Sequence, residues 1–308
     1  MRPEAVLIAG PTASGKSALA LRLAEAHAGV VVNADSCQVY AELAIITARP
    51  SADDVVAAPH RLYGYRSAGS AASVADWLAD VAAVLAEARA DGRLPIIVGG
   101  TGLYFKALTE GLAAIPDIPD DIRRHWRERA AIEGAMALHA ELGRRDAQMA
   151  ARLRPNDPQR LARALEVIDA TGRSLADWQD DPPSPPLLPA ASALLLAIEP
   201  DRAWLHERIN RRFERMLAAG ALDEARDLAA LDLDPALPAM RAIGVRPLIA
   251  AVAGEIEPAE AVRRGQAESR QYAKRQLTWM RHQMADWMRL PAGDVDSAAV
   301  SIHPILSK

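Results

Sequence analysis

A single cysteine, Cys37, occurs in 308 residues. One thiol forms no internal disulfide and no cysteine-rich zinc site, and it fits a reducing compartment. A net charge of −4 leaves no global basic signature, so any nucleic-acid surface has to be local. Only Met1 to Glu4 precede the first apolar run, too little for the charged, apolar and cleavage regions of a signal peptide. No uninterrupted apolar run reaches membrane-spanning length, and no internal repeat or long low-complexity tract is present. The expectation is a cytoplasmic protein without a membrane partner. Half the residues are apolar and a quarter charged, and the length allows one large domain plus a smaller one.

The stretch Gly10-Pro11-Thr12-Ala13-Ser14-Gly15-Lys16-Ser17 matches G-x-x-x-x-G-K-[ST] at every fixed position. Ala5 to Ala9 before it reads as a buried strand. Leu19, Ala20, Leu23, Ala24 and His27 after it share one helical face. Strand, glycine loop and helix together are what a phosphate-binding loop needs. Successive backbone N–H groups and the helix N-terminus converge on an anion, Lys16 adds charge, and the Ser17 hydroxyl can ligand magnesium. The loop marks a polyphosphate site, with a diphosphate or a nucleotide both open.

Val30–Val32 reads as a second strand, running into Asn33-Ala34-Asp35-Ser36-Cys37-Gln38. A polar cluster there lies at the carboxyl edge of a parallel sheet, where ligands bind. Asp35 has three readings: a cap for the next turn, a metal ligand or a base. Residues 46–73, broken by Pro50, Pro59, Gly64 and Gly69, read as loop with short helical pieces. A helix follows over Val74 to Ala88, and Leu94–Val98 is a third buried strand. That strand ends in glycine, where a P-loop ATPase carries an acid. Gly99-Gly100-Thr101-Gly102 then either lets backbone approach a ligand or makes a tight strand-to-helix turn. If the three strands are parallel neighbours, their loops share one rim.

From Ile115 to Pro189 the pattern turns helical and Arg-rich, closing in a proline-rich linker at 182–189. Ala193–Ile198 resumes the strands. The expected fold class is therefore α/β, a P-loop NTPase-like parallel sheet flanked by helices. Residues 1–115 and 190–308 form its catalytic core, and 116–189 an all-helical insertion. Residues 260–289 read as one long helix, with basic residues among Tyr272, Trp279 and Trp287. That pattern suits RNA backbone plus stacking, or a packed helix with core aromatics. Nothing is read from the tail beyond Pro291.

Six segments together resemble the tRNA dimethylallyltransferase (tRNA isopentenyltransferase) family. They are G-P-T-A-S-G-K-S at 10–17, N-A-D-S-C-Q-V-Y at 33–40, L-P-I-I-V-G-G-T-G-L-Y at 94–104, R-P-N-D-P-Q-R-L-A-R-A-L-E-V at 154–167, R-I-N-R-R-F-E-R-M-L at 208–217 and R-Q-Y-A-K-R-Q-L-T-W-M-R at 270–281. The resemblance covers nearly the whole chain. It implies transfer of a dimethylallyl group from dimethylallyl diphosphate to the adenosine 3′ of the anticodon in tRNA, with Mg2+ assisting. Asp35 takes the place of the general base and Thr101 that of a donor to the leaving oxygen. The loop 10–17 and Arg212 would hold diphosphate, and Ser17 the metal. The tRNA-contacting stretches carried over are Asp35, Ser36, Cys37, Gln38, Thr101, Arg123, Gln159, Arg160, Leu161, Ala162, Arg163, Met240, Arg241, Gly244, Lys274, Arg275 and Arg281. The insertion would grip the anticodon stem-loop. Four positions depart from the family pattern: Cys37 for Met, Ile46 for Gly, Arg61 for His and Val245 for Tyr. No zinc finger of the eukaryotic kind follows, which implies a bacterial-type enzyme, expected as a monomer. A P-loop kinase and a non-catalytic RNA-binding switch are the competing readings. The first leaves the Arg-rich insertion unexplained, and the second predicts no reaction to lose.

Overall fold

A computed structural model describes residues 2–307. Two compact units emerge, residues 1–109 with 187–308 and residues 110–186. In chain order the first unit begins with β1 (Ala5–Ala9), α1 (Lys16–Ala26), β2 (Gly29–Asn33), α2 (Ala52–Ala57), β3 (His60–Arg61), α3 (Val74–Ala90), β4 (Leu94–Gly99) and α4 (Gly102–Glu110). The second unit holds α5 (Asp120–Arg145), α6 (Ala147–Arg152), α7 (Pro158–Thr171) and α8 (Leu175–Asp180). The chain returns with β5 (Ala193–Glu199), α9 (Arg202–Ala218), α10 (Ala221–Ala229), α11 (Val245–Val252), α12 (Pro258–Gln283), β6 (Met288–Pro291) and α13 (Val295–Leu306).

The six strands form one parallel sheet in the order β3-β2-β4-β1-β5-β6. Every residue of β1 is buried, as expected for a strand covered on both faces. Alternation splits them: Ala5, Leu7 and Ala9 face a layer with Trp77, Phe105 and Trp287, while Val6 and Ile8 face Leu19, Leu23 and Ile302. A third apolar cluster joins Val39, Tyr40, Leu43 and Ile46 to Phe213, Val245 and Leu248.

Two differences from the sequence reading lie near the C-terminus. The long helix stops at Gln283, and Met288–Pro291 pairs in parallel with Leu196–Glu199. The residues beyond Pro291 form α13, whose Ala298, Ile302 and Leu306 pack with Leu19 and Leu23. Short edge strands carry little periodicity, so helical spacing in a four-residue strand misleads.

The first unit takes in residues 187–189, which the sequence reading placed in the insertion, and the second takes in 110–115, which it placed in the core. Leu188 N–H donates to the Leu108 carbonyl at 3.1 Å, and its side chain is buried among the sheet-facing residues. The second unit has its own core of Trp126, Leu138, Leu142, Leu161, Leu165 and Val167. Its α7 starts at an Asp157 cap with Pro158 behind it and ends at Gly172 with φ 69°, in agreement with the turn and helix start seen at 155–158.

Candidate active site

Because β2, β4 and β1 are adjacent and parallel, the loops after them meet at one edge of the sheet. After β1, Gly10 N–H donates to the Gly99 carbonyl at 3.3 Å. The chain then bends through Ala13 at φ 64° and Gly15 at φ 94°. A left-handed alanine costs on the order of 1 kcal/mol, so something must hold it. Arg208 of α9 does: its Nε donates to the Ala13 carbonyl at 3.0 Å, and its guanidinium lies 4.7 Å from the Trp204 ring centre. No side chain caps α1. The Lys16 and Ser17 amides in its first turn carry no hydrogen bond among the described residues, leaving donors open to an anion.

Lys16 Nζ donates to the Pro11 carbonyl at 3.3 Å. Enclosure lowers its pKa to about 8, with Asp35 pulling upward and Arg212 pressing further down. Arg212 of α9 is lowered to about 10 by the same enclosure, again against the pull of Asp35. Two cations and one carboxylate therefore share a field that an incoming diphosphate would balance.

Asp35 uses one oxygen as a cap: Oδ1 accepts the Cys37 N–H at 3.0 Å. Its own N–H donates to Asn33 Oδ1 at 2.8 Å, and Asn33 Nδ2 donates to the Asp35 carbonyl at 3.0 Å. The carboxylate is thus held by a rigid turn, with Oδ2 outside that cap. Thr101 Oγ1 accepts the Ser36 N–H at 2.9 Å and donates to Ser36 Oγ at 3.2 Å. Burial, together with the Asp35 charge, raises the Tyr272 phenol of α12 well above its ordinary range. Asp35 and Thr101 thus sit on loops tied together at Ser36.

The glycines of the third loop belong to the protein's own packing, not to a ligand. A Cβ on Gly99 would collide with the Ala34 backbone, one on Gly100 with the Gln276 carboxamide, and one on Gly102 with the Trp279 indole. Gln276 and Trp279 lie one turn apart on α12, so that helix occupies the space the glycines open. Sequence reasoning missed Gln276 and Arg208. A glutamine within the small-residue stripe Ala261, Gly265, Ser269, Ala273 was the available signal.

The carried-over RNA-contact positions divide by exposure. Arg241, Lys274, Arg275 and Arg281 are exposed, and Met240 is half-buried. Arg241 and Arg275 line a hollow of about 380 Å³ with Arg246, Glu268 and Gln271. Gly244 is buried at φ 87°, its N–H donating to Glu268 Oε2 at 3.1 Å, so it shapes the turn and leaves the surface to its neighbours. Gln38 spends its amide on the Thr47 and Ala48 carbonyls, both at 2.9 Å. The Cys37 thiol packs against the third apolar cluster, and burial pushes it up to about 12.

In the second unit, Leu161 and Ala162 are core residues, 0% and 4% exposed, and offer no side chain to RNA. They fall on the inner face of α7 between Arg160 and Arg163. Gln159 and Arg160 are exposed, Arg123 and Arg163 half-buried. Arg129, Arg145, Arg152 and Arg173 hydrogen-bond carboxylates at 2.5–2.7 Å. Arg160 and Arg163 instead stand 3.5 Å from theirs, and Arg123 3.9 Å. These looser pairs leave guanidinium donors for another anion. Glu166, buried, lies between Arg127 and Arg163, and burial raises its pKa against their pull.

An IPP transferase family model matches residues 38–283, and an isopentenyl transferase model matches 3–72. The chain belongs to the IPP transferase family. It is 56% identical over 295 residues to a protein named tRNA dimethylallyltransferase from Rhodopseudomonas palustris, spanning 95% of this chain and 92% of that one. A second relative of that name, from Nitrobacter hamburgensis, is 56% identical over 92% of this chain and 89% of its own. The crystal structure of the full-length tRNA isopentenylpyrophosphate transferase from Bacillus halodurans superposes with a TM-score of 0.69. It is 33% identical and covers 98% of this chain and 95% of its own.

Ile46, read from the sequence as a departure from the family pattern, is accommodated in the structure. Ile46 is 5% exposed in the third cluster, and Glu224 anchors the loop by accepting the Ile45 and Ile46 N–H groups. Val245 is fully buried, so no phenol is presented there. Magnesium fits the residues present. The exposed Ser17 hydroxyl has no hydrogen bond among the described residues, and no group of three His, Cys, Asp or Glu among them forms a cage. Magnesium characteristically takes one or two protein oxygens and completes its shell with phosphate and water. Among the described residues, no helix is long and apolar enough to cross a membrane.

Proposed function

We propose that this chain transfers a dimethylallyl group from dimethylallyl diphosphate to the exocyclic amine of the adenosine 3′-adjacent to the anticodon in tRNA, releasing diphosphate. The observation that carries this reading is the meeting of the phosphate loop, Asp35 and Thr101 on three neighbouring loops of one sheet edge, with Lys16 and Arg212 in the field of Asp35. The loop amides, Lys16 and Arg212 hold the donor's diphosphate. Ser17 is the side chain for magnesium, which neutralises diphosphate charge when bound.

The reaction breaks the bond between the prenyl C1 and the diphosphate oxygen and forms a bond from C1 to the adenine nitrogen. The electron pair leaves with the diphosphate, and Thr101, turning its one hydroxyl hydrogen away from Ser36 Oγ, donates a hydrogen bond to the departing oxygen. Fixed donors aimed at growing charge are the largest catalytic term expected. The amine is a weak nucleophile whose proton becomes acidic only as the new bond forms, and the Asp35 carboxylate accepts it then. The adenine has to leave its stack to enter the site. Arg123, Gln159, Arg160 and Arg163 of the helical insertion, with Arg241, Lys274, Arg275 and Arg281, hold the stem-loop. The enzyme works in the cytoplasm, where its RNA substrate is.

The test is incubation with labelled dimethylallyl diphosphate, magnesium and bulk tRNA, then nucleoside analysis, beside a parallel reaction with labelled ATP. Prenylated adenosine is the expected product. Phosphoryl transfer from ATP with unaltered tRNA would reinstate a kinase.

A further inference from the structure

The side chain of Gln276 is 6% exposed and makes two hydrogen bonds to two different loops. Its Oε1 accepts the Thr12 N–H, inside the phosphate loop, at 2.9 Å. Its Nε2 donates to the Gly100 carbonyl, next to Thr101, at 2.9 Å. A carboxamide matches this pair as no other side chain of its size does: one end accepts, the other donates, and neither is charged. Gly100 has no Cβ where the Gln276 amide sits, so the loop is shaped to receive it. Trp279, one turn along, fills the corresponding space at Gly102.

We propose that Gln276 is a positioning residue: from α12 it fixes the separation between the phosphate loop and the Thr101 loop, and so the alignment of the held diphosphate with the hydroxyl that meets its leaving oxygen. This deepens the reading of the site as a prenyl-transfer centre and rests on it. Binding alone needs only the phosphate loop, whereas the transition state needs both loops in register, so the loss of Gln276 falls on turnover more than on capture. The bond from the Thr12 N–H to Oε1 also anchors the phosphate loop, so its loss weakens donor capture somewhat. A glutamate there keeps the acceptor, loses the donor and adds a negative charge beside the diphosphate.

Steady-state kinetics on Gln276→Met and Gln276→Glu test this, with dimethylallyl diphosphate and tRNA varied in turn. For Gln276→Met we expect kcat lower by about tenfold or more, donor KM raised a few fold, and tRNA KM within about twofold of wild type. Gln276→Glu raises donor KM more than Gln276→Met does. A donor kcat/KM within twofold of wild type, or a loss confined to tRNA KM, overturns the proposal. If either variant fails to fold, Gly100→Ala displaces the same amide from the other side. It should lower kcat with the same pattern, and wild-type kinetics there also overturn the proposal. If the wild-type protein itself leaves tRNA unprenylated, the proposed reaction fails and Gln276 is judged by calorimetry with inorganic diphosphate. Weaker binding by Gln276→Met supports a link to the phosphate loop, and equal binding rejects it.

Discussion

Among single residues, Asp35 and Lys16 divide the proposed chemistry, and each gives a measurement. Replacing Asp35 by Ala removes the proton acceptor and leaves the exposed basic residues proposed to hold RNA in place. Turnover should fall by roughly a hundredfold or more while tRNA binding by filter retention stays intact. Near wild-type turnover would remove Asp35 from the role of base. Lys16, lowered to about 8, is charged below that pH and neutral above it. The kcat/KM for dimethylallyl diphosphate, which reports the free enzyme, should therefore fall as pH rises through about 8. Lys16→Arg, charged throughout, should flatten that limb. The phosphate motif was legible from residue types and spacing, and so was the place of Asp35 and Thr101 after two strands, while the roles proposed for them came from the family resemblance. Gln276 was marked only by the small-residue stripe that precedes it on α12, and its partners on the two loops are set by packing between segments far apart in the chain.

Helix α12 acts through two faces, and its packing face makes a prediction of its own. Gly265 lies in mid-helix, where glycine usually costs about 1 kcal/mol against alanine. Here the Phe213 ring of α9 stands where the Cβ would go. Overpacking of a tight core costs typically about 1–3 kcal/mol and outweighs the helix gain. Gly265→Ala should thus destabilise by about 1–2 kcal/mol in urea unfolding rather than stabilise. The basic residues of α12 were readable as a surface pattern, but its C-terminal end was not. Residues 284–291 leave the helix because β5 offers an edge for Met288–Pro291 to pair with, a non-local preference that no window of sequence contains.

Across the molecule, the net negative charge confines any RNA attraction to local arginines. In the helical unit the candidates are those with loose carboxylate partners, Arg160 and Arg163 among them. The Arg160 pair with Asp157 lies at the surface and is worth little, so surrendering it to a phosphate is inexpensive, whereas Arg163 would leave the buried Glu166 to Arg127 alone. The double variant Arg160→Ala/Arg163→Ala should weaken tRNA binding. It should also reduce the slope of log K against log salt by about 0.7–0.9 for each phosphate no longer neutralised. An unchanged slope would assign both to the protein's own surface.

The sequence alone determined the phosphate loop, the central strands and the helical insertion. All of these follow from local spacing, which backbone geometry turns into strands, helices and turns. Only the tertiary structure decided which glycines serve packing, which arginines keep free donors, and that Arg208 and Gln276 brace the phosphate loop. Those outcomes depend on what residues far apart in the chain place beside one another, and burial and hydrogen-bond partners do not exist until the sheet and its helices have closed.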